Sequence, residues 1–135
     1  MNKKIRDSKY YQDWLVKAKR DSETAFLNHR YGGYTDTTCY FCHQTAEKSL
    51  KSYLLFKGIK IFPKTHLLPI LLSLCQKTDS VFIILKDKCE ILNKYYLETK
   101  YPLGSPIDYT KEEADKALEL AEEILEFVEG KMSKS

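Results

Sequence analysis

The stretch Cys39-Tyr-Phe-Cys-His-Gln-Thr-Ala-Glu-Lys-Ser-Leu-Lys-Ser-Tyr-Leu-Leu-Phe-Lys-Gly58 decides how this chain is read. Its apolar residues Cys39, Cys42, Ala46, Leu50, Tyr53 and Leu54 recur every three or four positions, the period of one helix face. Gln44, Glu47, Lys48 and Lys51 follow the same spacing on the flank of that stripe. An amide, a carboxylate and two ammonium groups beside an apolar stripe suit a bundle helix that also offers polar handles to a partner or an anionic ligand. Thr35 or Asp36 is the expected N-cap of this second helix, and Gly58 its C-terminal stop.

The same periodicity runs outward in both directions. A first helix is expected from Ser8 to Asn28, burying Tyr11, Trp14, Leu15, Ala18, Ala25 and Phe26, before Tyr31-Gly-Gly-Tyr34 turns the chain. A third helix is expected from His66 to about Gln76, capped by Thr65, with Pro69 in its first turn. It is apolar nearly all round and should be sandwiched. A fourth is expected from Asp79 or Ser80 to about Glu98, on a stripe of Val81, Phe82, Leu85, Cys89, Leu92 and Tyr96. Two prolines and a glycine exclude helix over 100–106. A fifth starts at Thr110 with a capping box to Glu113, buries Ala114, Ala117, Leu118, Ala121, Leu125 and Val128, and stops at Gly130. These elements make an all-α, antiparallel bundle of about five helices in a single domain spanning residues 1–135.

Charge is unevenly spread. Residues 1–110 carry 18 Lys/Arg against 11 Asp/Glu, whereas residues 111–129 carry two Lys against eight acids. An acidic last helix against a basic body reads first as internal charge matching. No segment reads as a leader or as long enough and apolar enough to span a bilayer, so a cytoplasmic protein with reduced thiols and no membrane partner is expected. Cys39 and Cys42 have the C-x-x-C spacing, but both fall on the apolar stripe of a helix and no second ligand pair follows. They read as small hydrophobes, and no metal or cofactor is expected.

Three segments together carry a family resemblance: Cys42-His-Gln-Thr-Ala-Glu-Lys-Ser-Leu-Lys51, then Lys64-Thr-His66, then Lys100-Tyr-Pro102. In this order and at these separations the chain resembles the HEPN family of all-α domains, over about residues 10–130. It is most similar to the stand-alone prokaryotic HEPN proteins found beside minimal nucleotidyltransferases. That subgroup has A-Q-Q-A-A-E-K-A-L-K in its second helix, then T-H-D-L, then R-Y-P. Here His43 stands for the first Gln, Leu67 for the Asp after His66, and Lys100 for the Arg, which loses a planar bidentate fork.

The resemblance implies a homodimer that binds nucleotide or a separately encoded nucleotidyltransferase, in a toxin–antitoxin or stress-response setting. The site residues it points to are Gln44, Glu47, Lys48, Lys51, His66, Lys100 and Tyr101, with Lys48 and Lys51 supplying charge to a basic cleft. The ribonuclease branch of the family carries Arg, four to six residues, then His near a late helix. Arg occurs here only at 6, 20 and 30, and His only at 29, 43 and 66. The reading therefore leans against an enzyme and leaves RNA as an open partner. A metal-independent ribonuclease and a purely structural homodimer or scaffold are the alternatives. Each polar residue also has a structural reading, with Glu47–Lys51 as an intrahelical pair, His66 as a loop brace, His43 as a packed residue and Tyr101 docked before Pro102.

Overall fold

The computed structural model describes residues 7–100 and 109–133, with only the backbone of residues 99 and 100. Among them the helices are α1 (Tyr11–Arg30), α2 (Thr35–Phe56), α3 (Leu68–Thr78), α4 (Lys86–Asn93), α5 (Tyr95–Lys100) and α6 (Lys111–Ser133), with a 3₁₀ segment, Ser80–Leu85, leading into α4. The architecture is an all-α antiparallel bundle, as the periodicity required.

The bundle is built around α2. It packs on α1, α3, α4, α5 and α6, and 14 of its 22 residues are buried, too many for one stripe. Cys39, Cys42, Ala46, Leu50, Tyr53 and Leu54 all lie in the core. Small side chains elsewhere on α2 let neighbours approach on its other faces. The hydroxyls of Thr45 and Ser49 donate to the carbonyls of Phe41 (2.8 Å) and Thr45 (2.7 Å), one turn back, so their burial leaves no unpaired group. The Ser52 hydroxyl instead donates to the Tyr11 carbonyl at 2.8 Å and ties α2 to the start of α1.

Several element ends differ from expectation. α1 begins at Tyr11; Ser8 lies upstream, where its Oγ accepts from the Tyr10 amide and donates to Asp13. Phe26 is exposed, and Asp21 is buried on the inner face because Lys48 of α2 pairs with it. α2 begins at Thr35 with Tyr34 at the cap position, and neither Thr35 nor Asp36 caps it. Gly58 ends it as expected, in the left-handed region at φ +82°. α3 starts at Leu68, two residues late. Its Leu68 amide is taken by Asn93 Oδ1 at 2.9 Å, and Thr65 bonds the Leu67 amide. Leu68, Leu71, Leu72 and Cys75 are buried, but Leu67 and Ile70 are not, so α3 is covered on one side only.

The expected single fourth helix is three pieces. Asp79 does cap it, accepting from the Val81 amide, but the chain that follows is 3₁₀. The run Val81, Ile83, Ile84 is β-branched and disfavours a regular α turn. Val81 is exposed, while Phe82 packs on Tyr53 and Phe127. A second break at Lys94 resets the face, so Tyr95 enters the core and Tyr96 swings toward the loop before α3. Lys100 closes α5 in place of the expected non-helical start. Its side chain, Tyr101 and the turn through Pro106 lie outside the described residues.

α6 opens with half of the expected capping box. Thr110 Oγ1 accepts from the Glu113 amide at 3.0 Å, but the Glu113 carboxylate serves Tyr95 O–H (2.6 Å) and Lys94 (3.3 Å). Burial and this hydrogen bond push the Tyr95 phenol above its ordinary range. Leu120, Ile124 and Met132 join the predicted inner face. The acidic helix meets lysines at Lys19–Glu129, Lys88–Glu123 and Lys94–Glu113, the charge matching that the composition suggested, and its Asp115 meets the His29 ring. Gly130 does not stop α6, which runs three residues further and buries Met132.

A Cβ at Gly130 would meet nothing within 4 Å. Gly130→Ala is therefore expected to stabilise the fold by roughly 0.5–1 kcal/mol, read from urea unfolding. A helix that stopped at Gly130 in a left-handed conformation would instead lose stability in this variant.

Candidate functional site

The polar face of α2 is turned inward and centred on one carboxylate. Glu47 is 3% exposed and holds two cationic or donor groups. Its Oε2 accepts from Lys51 Nζ at 2.9 Å, one turn along α2. Its Oε1 accepts from His66 Nδ1 at 2.9 Å, from the loop between α2 and α3. Lys51, itself 6% exposed, lies 5.3 Å from the ring centroid of Trp14 on α1. A buried carboxylate survives without water only when its oxygens are bonded in this way.

His43 completes the arrangement from the turn before Glu47. Its Nε2 lies 2.8 Å from the His66 carbonyl, an acceptor only, so Nε2 carries the proton. Its Nδ1 is then bare and accepts from the Gln44 amide at 3.2 Å. Burial, partly offset by Glu47, lowers the His43 pKa from 6.5 to about 4, so the ring is neutral near pH 7. The His66 ring stacks on Tyr96, with centroids 4.1 Å apart and planes 15° from parallel. About half of the His66 side chain faces solvent. The chain thus holds one imidazole buried and neutral, and orients a second, half-exposed one by a carboxylate behind it.

The structure brings together Gln44, Glu47, Lys51 and His66 among the residues read as a site, and adds His43, Tyr96 and Trp14. It does not bring Lys48 with them. Lys48 pairs with Asp21 on the α1 side. Of the two lysines expected to line a basic cleft, Lys48 is paired with Asp21, and Lys51 is buried and paired with Glu47. Lys100 and Tyr101 cannot be placed in the site, since the Lys100 side chain and Tyr101 lie outside the described residues. From the sequence Tyr96 reads as core, because a continuous helix keeps it on the stripe. Trp14 carried a signal, as the single tryptophan of the chain, but nothing in its spacing linked it to Lys51.

All four cysteines are free and buried. Desolvation pushes the Cys39 and Cys89 thiols up to about 12, and those of Cys42 and Cys75 upward as well, so they pack as hydrophobes. Among the described residues, no group of three or more His, Cys, Asp or Glu side chains is placed to hold a metal. No described helix is long and apolar enough to cross a membrane.

The HEPN domain family model matches residues 11–131. The protein named "Putative toxin MJ1304" of Methanocaldococcus jannaschii is 29% identical, over 89% of this chain and 86% of its own. The crystal structure of TT1696 from Thermus thermophilus superposes with a TM-score of 0.79 at 33% identity, over 90% of this chain and 97% of that one. That of an archaeal HEPN homologue superposes at 0.73 with 28% identity, over 91% and 98%.

Two outcomes test the geometry. Glu47→Ala leaves Lys51 buried without a counter-charge and is expected to cost about 3–5 kcal/mol in urea unfolding, part of it recovered in Glu47→Ala/Lys51→Met. The second concerns pH. Below 6.5 the unfolded chain binds a proton at His43 that the folded chain refuses until about 4. Stability therefore falls as the pH drops through that window, by about 3 kcal/mol in total from this group. His43→Gln is expected to flatten the fall; equal slopes in both proteins would remove His43 as its source.

Proposed function

The chain belongs to the HEPN domain family, and on that premise we propose that it acts by binding rather than by catalysis, as a homodimer that engages nucleotide, a separately encoded nucleotidyltransferase, or both. HEPN membership and the toxin-named relative fit a toxin–antitoxin setting. The observation that carries the binding reading is the posture of His66. Its ring is fixed from behind by Glu47 and on one face by Tyr96, while half of the side chain meets solvent beside the exposed Lys64. A rigid polar handle of this kind loses little entropy when a partner or ligand docks on it.

The same posture favours a second reading. An imidazole oriented by a carboxylate is a recurrent general base, and a metal-independent ribonuclease using His66 would differ from the Arg–His branch of the family. RNA cleavage abolished by His66→Ala, with the helical signal intact, would support it.

The binding reading is tested by melting curves with mono-, di- and triphosphate nucleotides, with and without magnesium. A ligand at about 100 times its Kd stabilises by about 2.7 kcal/mol, which is several degrees for a domain of this size. A selective rise is the expected result. No shift with any nucleotide would remove nucleotide and direct the search to a protein partner or a structural dimer.

A further inference from the structure

We propose that the trough on either side of Trp14 binds one organic phosphate of the nucleotide class, its ring in the larger cavity and its phosphates in the smaller. The proposal rests on the nucleotide-binding reading above and gives it a site that the α2 face does not provide. The larger cavity, about 320 Å³, is lined by Asp7, Ser8, Asp13, Trp14, Lys17 and Lys48. The smaller, about 150 Å³, shares Asp7, Ser8 and Trp14 and adds Lys9, Lys60, Lys64, Leu55 and Phe62. One indole thus stands between two adjoining spaces. The larger is at the lower end of the range for small-molecule sites, and the smaller is better matched to a phosphate group.

The charges suit the assignment. Five lysines and two aspartates line the two cavities together. Lys48 is held by Asp21, and Asp13 accepts from Ser8. Lys9, Lys17, Lys60 and Lys64 are in no ion pair with a described residue, so their charge is available to an anion. Ammonium groups on flexible stems hold phosphates as point charges without demanding a fixed fork. Trp14 lies in the first turn of the 20-residue α1, where the positive end of the helix adds to the field. The carboxylates are no obstacle to a nucleotide, since Asp7 and Asp13 can accept hydrogen bonds from ribose hydroxyls. Inorganic phosphate and pyrophosphate bring charge to the lysines but no ring for the larger cavity. Trp14 also joins the trough to the buried network, because Lys51 lies over its ring while bonding Glu47.

Trp14 is the single tryptophan, so any change in tryptophan fluorescence arises at this indole, and the Lys60/Lys64 dependence separates a ligand in the trough from a change relayed through Lys51. The intact protein is titrated with AMP, ADP, ATP, adenosine and inorganic pyrophosphate, with excitation selective for tryptophan and free tryptophan as the absorbance control. A saturable change with a nucleotide is expected, with adenosine and pyrophosphate each at least about tenfold weaker. Lys60→Ala/Lys64→Ala, at exposed positions, is expected to weaken nucleotide by at least about tenfold. Lys77→Ala/Lys86→Ala, on a different part of the surface, should not. Melting curves run alongside separate the two levels of the argument. A nucleotide that raises the melting temperature but leaves Trp14 and the Lys60/Lys64 dependence unmoved overturns this site and keeps nucleotide binding. Neither effect with any nucleotide, up to about 5 mM, overturns both. Pyrophosphate binding as tightly as the nucleotides overturns the ring subsite.

Discussion

A carboxylate buried in the middle of a helix has to be answered by donors, and the answer given to Glu47 organises this bundle. Lys51 comes from the same helix, but its ammonium is covered by Trp14 of α1. His66 comes from the loop that leads to α3 and is backed by Tyr96 of α5. Three elements remote in sequence therefore converge on one side chain of α2. Such an arrangement contributes little net stability compared with apolar packing of the same volume, since desolvation consumes much of the Coulombic gain. What it contributes is position. The loop cannot move along α2 without stranding a charge, and His66 cannot turn without breaking both its hydrogen bond and its ring stack.

That constraint explains why α2 is buried almost all round although its hydrophobic stripe covers one side. The stripe itself was legible from period alone, as were the Gly58 stop, the Asp79 cap and the Thr110 end of the last helix. Burial of Gln44, Glu47 and Lys51 was not. It depends on donors and rings supplied by α1, α5 and a loop, none of which a local pattern announces. The break at Lys94 was hidden for the same reason. A stripe through Leu85, Cys89, Leu92 and Tyr96 is a good helical period, yet Asn93 spends its side chain on the Leu68 amide and Tyr95 takes the core position. Gly130 misled in the opposite way: glycine permits a stop but does not impose one, and Met132 finds a buried seat one turn further on.

For the site, the residue types and spacing were legible while their roles were not. The i,i+4 pair Glu47–Lys51 forms, and His66 does brace the loop, so both structural readings hold. The two lysines of the expected cleft, Lys48 and Lys51, each meet a carboxylate of their own chain. What is left facing outward is a fixed, half-exposed imidazole and, around Trp14, Lys9, Lys17, Lys60 and Lys64, which form no ion pair with a described residue. In this HEPN fold the α2 signature serves internal order.

The central claim is that Glu47 orients His66 through its Nδ1–H, while burial keeps His43 neutral with the opposite tautomer. Long-range ¹H–¹⁵N correlation of the imidazole nitrogens near pH 8 tests it most directly. The account predicts a protonated Nδ1 on His66 that loses its slow exchange in Glu47→Gln, and a bare Nδ1 with a protonated Nε2 on His43. A bare Nδ1 on His66, or a His66 signal indifferent to Glu47→Gln, would contradict it.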